Sequence, residues 1–366
     1  MGGLALNVSS GTTILGRELW HTAWNAYRDA FIDGQGRVID YSSNQGFTTS
    51  EGQAYALFFS LVANDRKAFH RILAWTNANL AGGRLGQILP AWKWGHGART
   101  WGIIGTNTAS DADAWMAYAL LEAGRIWGEH NLGALGGSLA SRIISQESVV
   151  LGGFGRLLLP GSAHFPRTPP VLVDPSYTPL FLAHGIADAT GDAGWRAIAA
   201  GQPRLISAVA PHGFAPDWAW LPSRPSSPPG NLPPTGTGSY DAIRCYLWAG
   251  LNAVGTPGAA AELSRLGGMA HYLGSHAAPP ESVNVASGAA HGTGPVGFSA
   301  ALLPYLAHLK ADKALRRQLS RVLAHREVSG LFGEPADYYS ENLILFGLGG
   351  LAGVVGFSKT GAVASA

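Results

Sequence analysis

Three carboxylates stand in settings that suit proton transfer: Glu51 in Thr49-Ser50-Glu51-Gly52-Gln53, Asp111 in Ala109-Ser110-Asp111-Ala112-Asp113, and Asp241 in Ser239-Tyr240-Asp241-Ala242-Ile243-Arg244. Breaking a glycosidic bond takes two such groups, one protonated to feed the leaving oxygen and one ionised to activate water or attack directly. Plain capping is the competing reading. Acids in the first turn of a helix meet its dipole favourably, and Thr48 with Glu51, or Ser110 with Asp113, fits a capping box. A cap needs no aromatic escort, yet Trp92, Trp94, Trp101, Trp115, Trp218, Trp220 and Tyr240 fall in or beside the same connecting stretches. Flat rings rimming an acidic cleft suit a pyranose chain, whose C–H faces stack while carboxylates take its hydroxyls. Core packing suits Trp20, Trp24 and Trp115 better. A helix N-terminus lowers a carboxyl pKa, which favours a base and opposes an acid. Asp241, with Arg244 one turn along, therefore fits the base. Glu51 fits the acid if burial and the charge of Asp111 outweigh the dipole, with Asp111 then charged and holding a sugar hydroxyl.

The elements that must position these groups are helices. Leu19, Trp20, Ala23, Trp24, Tyr27 and Phe31 recur at three- and four-residue spacing, as do Ala54, Leu57, Phe58, Leu61 and Val62, and then Trp115, Met116, Ala119, Leu120, Ala123 and Ile126. Strand candidates are few and short, such as Val149–Leu151 and Val171–Val173. Segments apolar on nearly every side start near Glu51, Asp111, Tyr177, Asp241, Phe298 and Tyr338, at spacings of 60, 66, 64, 57 and 40. More polar helical segments alternate with them, at residues 17–31, 65–80, 137–145, 195–209, 259–272 and 310–325. Six buried and six amphipathic helices in alternation describe an all-α double ring, an (α/α)6 barrel with minor β and loop elements. All the inner helices then begin at one mouth. The expected organisation is an extension over residues 1–16, one barrel over 17–350 and a tail over 351–366. The Pro-, Ser- and Gly-rich stretch Pro222–Gly238 reads as a surface loop rather than a domain linker.

Composition narrows the class. Charged residues make up 13% of the 366, and apolar ones 46%, which excludes a disordered, highly charged chain. The 50 glycines follow no triplet period, so collagen is excluded as well. A net charge of +2 without a basic stripe argues against nucleic acid. The single cysteine, Cys245, has no internal disulfide partner and reads as a small buried hydrophobe, and no Cys/His spacing of the zinc type occurs, so a structural metal is not expected. No HExxH spacing occurs among the 12 His, and His96 alone lies in a Trp-rich loop. The longest apolar stretch, Phe346–Phe357, is broken by glycines and too short to span a bilayer, so membrane insertion is not expected. Residues 1–10 show no visible signal peptide.

One stretch carries a family resemblance. Ala109-Ser110-Asp111-Ala112-Asp113-Ala114-Trp115-Met116-Ala117-Tyr118-Ala119-Leu120-Leu121-Glu122-Ala123-Gly124-Arg125-Ile126-Trp127 resembles the signature of glycoside hydrolase family 8, and within it the endo-β-1,4-glucanases that accompany bacterial cellulose synthases. Val38-Ile39-Asp40-Tyr41, residues 49–56, Pro90-Ala91-Trp92-Lys93-Trp94, residues 239–244 and Gly297-Phe298-Ser299-Ala300 extend it over roughly residues 17–350. The resemblance implies an (α/α)6 barrel, Glu51 as general acid, Asp241 as general base of an inverting mechanism, Asp111 as a ligand of the sugar at the cleavage point, and no metal or organic cofactor. With it come a β-1,4-glucan substrate, Trp92, Trp94, Trp101, Tyr177, Trp218, Trp220, Tyr240 and Arg244 as substrate-binding residues, association with cellulose synthase machinery, and a periplasmic or secreted location. The family commonly has Asn-Pro-Ser-Tyr where this chain has Asp174-Pro175-Ser176-Tyr177, which adds a charge near the mouth. Xylan, mixed-linkage glucan and chitosan are alternative substrates within the family; a cationic chitosan would want extra acids along the cleft, for which Asp174 and Asp217 are candidates. A polysaccharide lyase, with Arg244 neutralising a uronate, and a non-catalytic glucan-binding or export component are the readings from other classes.

Overall fold

Segments that are apolar on every side fold as helices with no solvent face. In the computed structural model, which describes residues 10–223, 236–333 and 335–364, the chain runs α1 (Ser10–Phe31), α2 (Ser50–Val62), α3 (Arg66–Leu80), α4 (Ser110–Trp127), α5 (His130–Gln146), α6 (Leu180–Thr190), α7 (Ala193–Val209), α8 (Ile243–Leu251), α9 (Ala259–Arg265), α10 (Gly267–Ser275), α11 (Val296–His308), α12 (Asp312–Ala324) and α13 (Tyr338–Ala352). Helices α2, α4, α6, α8, α11 and α13 form the inner ring, and every residue from Ser110 to Leu120 and from Val296 to Leu306 is buried. The outer helices show a single buried stripe at helical period, as in Ala68, Phe69, Ile72, Trp75 and Thr76 of α3 or Ala314, Leu315, Gln318 and Val322 of α12. The axis is filled rather than hollow. Phe346 of α13 lies 4.6 Å from Phe59, 5.1 Å from Trp115 and 5.0 Å from Trp248, so one ring touches α2, α4 and α8 and closes the circle. Glycine permits the tightest crossings: a methyl group at Gly347 would overlap the Ala300 carbonyl, and one at Gly250 the Tyr305 amide.

The double ring is the (α/α)6 barrel expected, with local departures. Helix α1 begins at Ser10 rather than Arg17, and α5 at His130 rather than Gly137. The earlier start of α5 lets Gly133 and Gly136 pack directly on the α4 backbone. The single outer helix expected over 259–272 breaks at Leu266 into α9 and α10, where Gly268 lies against the backbone of His212 and Gly213. The inner helix expected near Tyr177 starts as a 3-10 turn at Pro175–Tyr177, and α6 proper waits until Leu180, because Pro179 keeps Thr178 out of the helical region.

Among the described residues ten short strands stitch the mouth: β1 (Thr48–Thr49), β2 (Lys93–His96), β3 (Trp101–Gly105), β4 (Ser148–Leu151), β5 (Gly155–Leu158), β6 (Val171–Val173), β7 (Ala219–Leu221), β8 (Thr237–Gly238), β9 (Ser282–Asn284) and β10 (Ala289–His291). The sheet β1-β2-β3 ties the entrances of α2 and α4, β6 pairs with β7 between the entrances of α6 and α8, and β8-β9-β10 ties those of α8 and α11. Strands β4 and β6 match the two candidates read from sequence. Most of the Pro222–Gly238 stretch, residues 224–235, lies outside the described residues.

At the opposite end the residues after α13 turn back beneath the ring. Phe357 stacks on Phe181 at 3.8 Å, the Tyr118 hydroxyl donates to the Gly361 carbonyl at 2.5 Å, and the Val363 amide donates to Glu122 at 2.6 Å. That end is closed.

Candidate active site

The capping reading fails at two of the three acids. Thr49, not Thr48, caps α2, accepting the Gly52 amide at 3.1 Å, while Thr48 donates to the Val38 carbonyl. Ala109 stands at the N-cap of α4 with no side-chain bond, and neither Ser110 Oγ nor either oxygen of Asp113 has a partner among the described residues. No capping box forms at either helix. The acids are therefore left over from helix formation, and another group gathers them.

That group is Arg244, whose side chain is only 4% exposed. Its Nη1 donates to Glu51 Oε2, to Asp111 Oδ2 at 3.4 Å and to the Tyr55 hydroxyl at 3.3 Å; its Nη2 donates to Asp241 Oδ1 at 2.8 Å. Residues from α2, α4 and the entrance of α8 thus converge on one guanidinium, which also lies 5.7 Å from the centre of the Tyr177 ring. Burial works against the arginine's charge, but Tyr55 and the carboxylates around it keep it a cation. The acids differ in access: the side chain of Glu51 is 25% exposed, that of Asp241 34% and that of Asp111 6%. Two can meet solvent and one is sealed. Burial first, then the charge of Glu51, pushes the Asp111 carboxyl up to about 8 against the pull of Arg244. This runs against the sequence expectation of a charged Asp111.

Asp241 has a support that sequence reading missed. Asp217 Oδ1 accepts the amides of Ser239, Asp241 and Ala242 at 2.8, 3.0 and 2.8 Å, doing for the α8 entrance what an N-cap residue does elsewhere. Asp174 is likewise occupied. It is buried, its Oδ1 accepts the Ser176 amide at 2.7 Å, and burial followed by the charge of Asp241 pushes its carboxyl well above the usual range. Neither acid is offered to the cleft as a free charge. Tyr55 and Tyr339 were also missed; the Tyr339 hydroxyl donates to the Tyr240 carbonyl beside Asp241. No local signal marks them, because each partner is distant in sequence.

The aromatic residues divide. Trp92, just before β2, and Trp101 on β3 are exposed, and the Trp92 carbonyl accepts the Ser50 amide next to Glu51 at 2.9 Å. Trp94 is half-buried, edge-on to Trp75 at 5.3 Å and stacked with Trp101 at 5.2 Å, with the Arg37 guanidinium 4.6 Å from its centre. Its faces are largely used. His96 sits edge-on to Trp101, and Cys245 is buried. On the other side, Tyr177 meets Trp218 at 5.9 Å, and Trp218 stacks with Phe165 at 6.4 Å and 13°, a line of rings leading away from Arg244. Tyr240 is exposed and donates to Glu281 at 3.2 Å, while Trp220 lies half-buried on β7 opposite Leu172. Among the described residues no group of three or more His, Cys, Asp or Glu is arranged to hold a metal ion, and no helix is long and apolar enough to cross a membrane.

Comparison with known proteins bears on this geometry. The family model of glycosyl hydrolases family 8 matches residues 5–352. An endoglucanase of Xanthomonas axonopodis pv. citri (strain 306) is 42% identical over 342 residues, covering 92% of this chain and 87% of that protein. One from Escherichia coli (strain K12) is 41% identical over 331 residues, covering 89% and 86%. Among solved structures, the endo-1,4-D-glucanase from Vibrio fischeri ES114 superposes with a TM-score of 0.82 at 35% identity, over 94% of this chain and 98% of that one.

Proposed function

The chain belongs to glycosyl hydrolase family 8, and from that premise we propose that it is an inverting endo-β-1,4-glucanase in which Glu51 is the general acid and Asp241 the general base. The observation that carries the reading is the convergence of Glu51, Asp111 and Asp241 on the buried Arg244 at the one end of the barrel where the inner helices begin. Glu51 gives its proton to the glycosidic oxygen as the bond from C1 breaks, and Asp241 takes a proton from the water that attacks C1 on the opposite face. The product is then the α anomer. Inversion needs the two carboxyls roughly 6.5–9.5 Å apart, with room for that water; their attachment to different nitrogens of one guanidinium supports a held separation.

General-acid work at Glu51 needs a proton source within reach. Asp111 answers this. Burial and then the charge of Glu51 push its carboxyl up to about 8, which keeps an acidic hydrogen beside Glu51. Trp92 and Trp101 on one side, and the Tyr177–Trp218–Phe165 line on the other, offer ring faces to a glucan chain crossing the mouth. Because Asp174 is buried and Asp217 is committed to backbone amides, the cleft lacks the spare negative charge a cationic chitosan would want; a neutral glucan fits better. Association with cellulose synthase machinery and a location outside the cytoplasm follow as parts of this proposal, because nascent cellulose is met there.

The test is hydrolysis of carboxymethylcellulose by the wild type, Glu51→Gln and Asp241→Asn. Each substitution should lower kcat by about 10²–10⁴-fold, and NMR of the first wild-type product should show the α anomer. Normal turnover in either variant, or an initial β product, overturns the assignment.

A further inference from the structure

Behind the acids gathered on Arg244 lies a second acidic pair that the reaction above does not use. Asp113 stands two residues after Asp111 in the first turn of α4, Glu147 closes the C-terminus of α5, and both are fully buried. Thr108 Oγ1 donates to Glu147 Oε1, which leaves Glu147 Oε2 and both Asp113 oxygens with no donor among the described residues. The two carboxyls lie within hydrogen-bonding reach of each other. Two ionised carboxylates so placed would repel with nothing to hold them, whereas one proton between them supplies the donor that is missing.

The charges facing the pair are few. Asp111 is the other acid near Asp113 on α4; Arg156 of β5 bonds Ser148 at 2.7 Å, and Arg167 bonds Gln146 and Ser148 at 2.7 and 2.8 Å, so both arginines flank Glu147 without forming an ion pair with it. The pair is also joined to the segment that delivers Asp111. Besides bonding Glu147, Thr108 Oγ1 accepts the Ser162 amide at 2.8 Å; the Ser110 amide donates to Pro160 at 3.1 Å, and the Leu159 amide to the Glu147 carbonyl at 2.7 Å. Since α4 has no side-chain cap, these bonds help to fix its entry, together with that of the Trp92 amide to the Asn107 carbonyl at 2.7 Å.

We propose that Asp113 and Glu147 share one proton and act together as a positioning unit, holding the Thr108–Ser110 turn so that the Asp111 carboxyl stays in register with Glu51 and Arg244. The proton resides on either carboxyl and donates to the other; no other bond forms or breaks. Burial supports the assignment, pushing Glu147 up to about 7 and Asp113 well above the usual carboxylate range, with Glu147 adding to the latter. The positioning role rests on the endoglucanase reading.

The experiment compares Asp113→Ala, which removes the bridge, with Asp113→Asn, whose side-chain amide still offers Glu147 a donor. On carboxymethylcellulose, Asp113→Ala should lose about tenfold or more in kcat with KM changed less than about twofold, and Asp113→Asn should recover most of that loss. A second readout needs no activity. Native Glu147 keeps a proton that the unfolded chain releases from about pH 4.5, so wild-type stability falls as pH rises from there to about 7. With both carboxyls replaced, in Asp113→Asn combined with Glu147→Gln, no such proton remains to be released, and the melting temperature of that double variant relative to wild type should climb over the same window. Equal kcat in the Ala and Asn variants overturns the positioning role, and melting curves that stay parallel from pH 4.5 to 7.5 overturn the shared proton. If the wild type releases no reducing ends, the endoglucanase reading fails while the melting comparison still decides the proton.

Discussion

The two ends of α4 hold the same kinds of groups in opposite states. At its C-terminal end the buried Glu122 receives Arg125 Nε at 3.0 Å, Arg125 Nη2 at 2.6 Å and the Val363 amide at 2.6 Å, so one carboxylate has a whole guanidinium and a backbone donor. At its N-terminal end Asp111 shares Arg244 with Glu51 and Asp241, and Asp113 has no donor other than a neighbouring acid. The closed end is saturated and the mouth is short of positive charge. Saturation is what a structural ion pair needs, because every lone pair removed from water is replaced. Shortage is what acid–base chemistry needs, because protons stay on carboxyls that would otherwise ionise.

The comparison can be broken most sharply at Arg244. Replacing it with Met leaves three carboxylates facing one another and should cost about 3–5 kcal/mol of stability by urea denaturation at pH 7.5. The figure belongs toward the lower end, because Glu51 and Asp241 keep partial access to water. At pH 4.5 the loss should shrink, since the acids can then take up protons; an equal loss at both values would mean that the arginine matters for packing rather than charge. At the saturated end, Glu122→Gln should cost about 1–3 kcal/mol and leave kcat on carboxymethylcellulose unchanged at 25 °C. A fall in kcat without a fall in stability would erase the distinction between the ends. The pH-dependent effect concerns Asp111. Its folded-state carboxyl titrates near 8 against about 4 in an unfolded chain, so the native state is progressively disfavoured as pH rises between those values and levels off above them. Asp111→Asn should therefore melt at an increasingly higher temperature than wild type from pH 4 to 8, and a constant offset would show that Arg244 keeps Asp111 ionised throughout.

The barrel was legible because burial on every side leaves a periodic trace. Helices α2, α4 and α13 begin within a residue of the positions read from Glu51, Asp111 and Tyr338, and the alternation with amphipathic partners gave the second ring. The same reasoning brought Glu51, Asp111 and Asp241 to one mouth. What it could not supply were meetings between distant residues. Arg244 was visible as the partner of Asp241 three residues away, but its contacts with Glu51 and Asp111 span 193 and 133 residues. Asp217, 24 residues before Asp241, read as a candidate acid along the cleft; only the folded loop aims it at three amides. Most of the short strands were invisible for a related reason, since two or three residues of ladder leave no periodicity. Trp94 shows the limit of reading by type: a tryptophan near the cleft became largely a packing residue once Trp75 and Arg37 closed on it.

A ring of helices must also be completed, and that has a consequence for how the chain folds. The Trp20 indole donates to the Leu345 carbonyl across 325 residues, and Phe59 meets Phe346 at 4.6 Å. Each inner helix needs a neighbour on both flanks, so until α13 arrives both α2 and α11 present bare apolar sides. Neighbouring helix pairs can form early from local contacts, but the last gap closes only when segments hundreds of residues apart find each other, the kind of contact that slows folding and leaves intermediates prone to stick together. Synthesis from the N-terminus holds that gap open until nearly the whole barrel has been made.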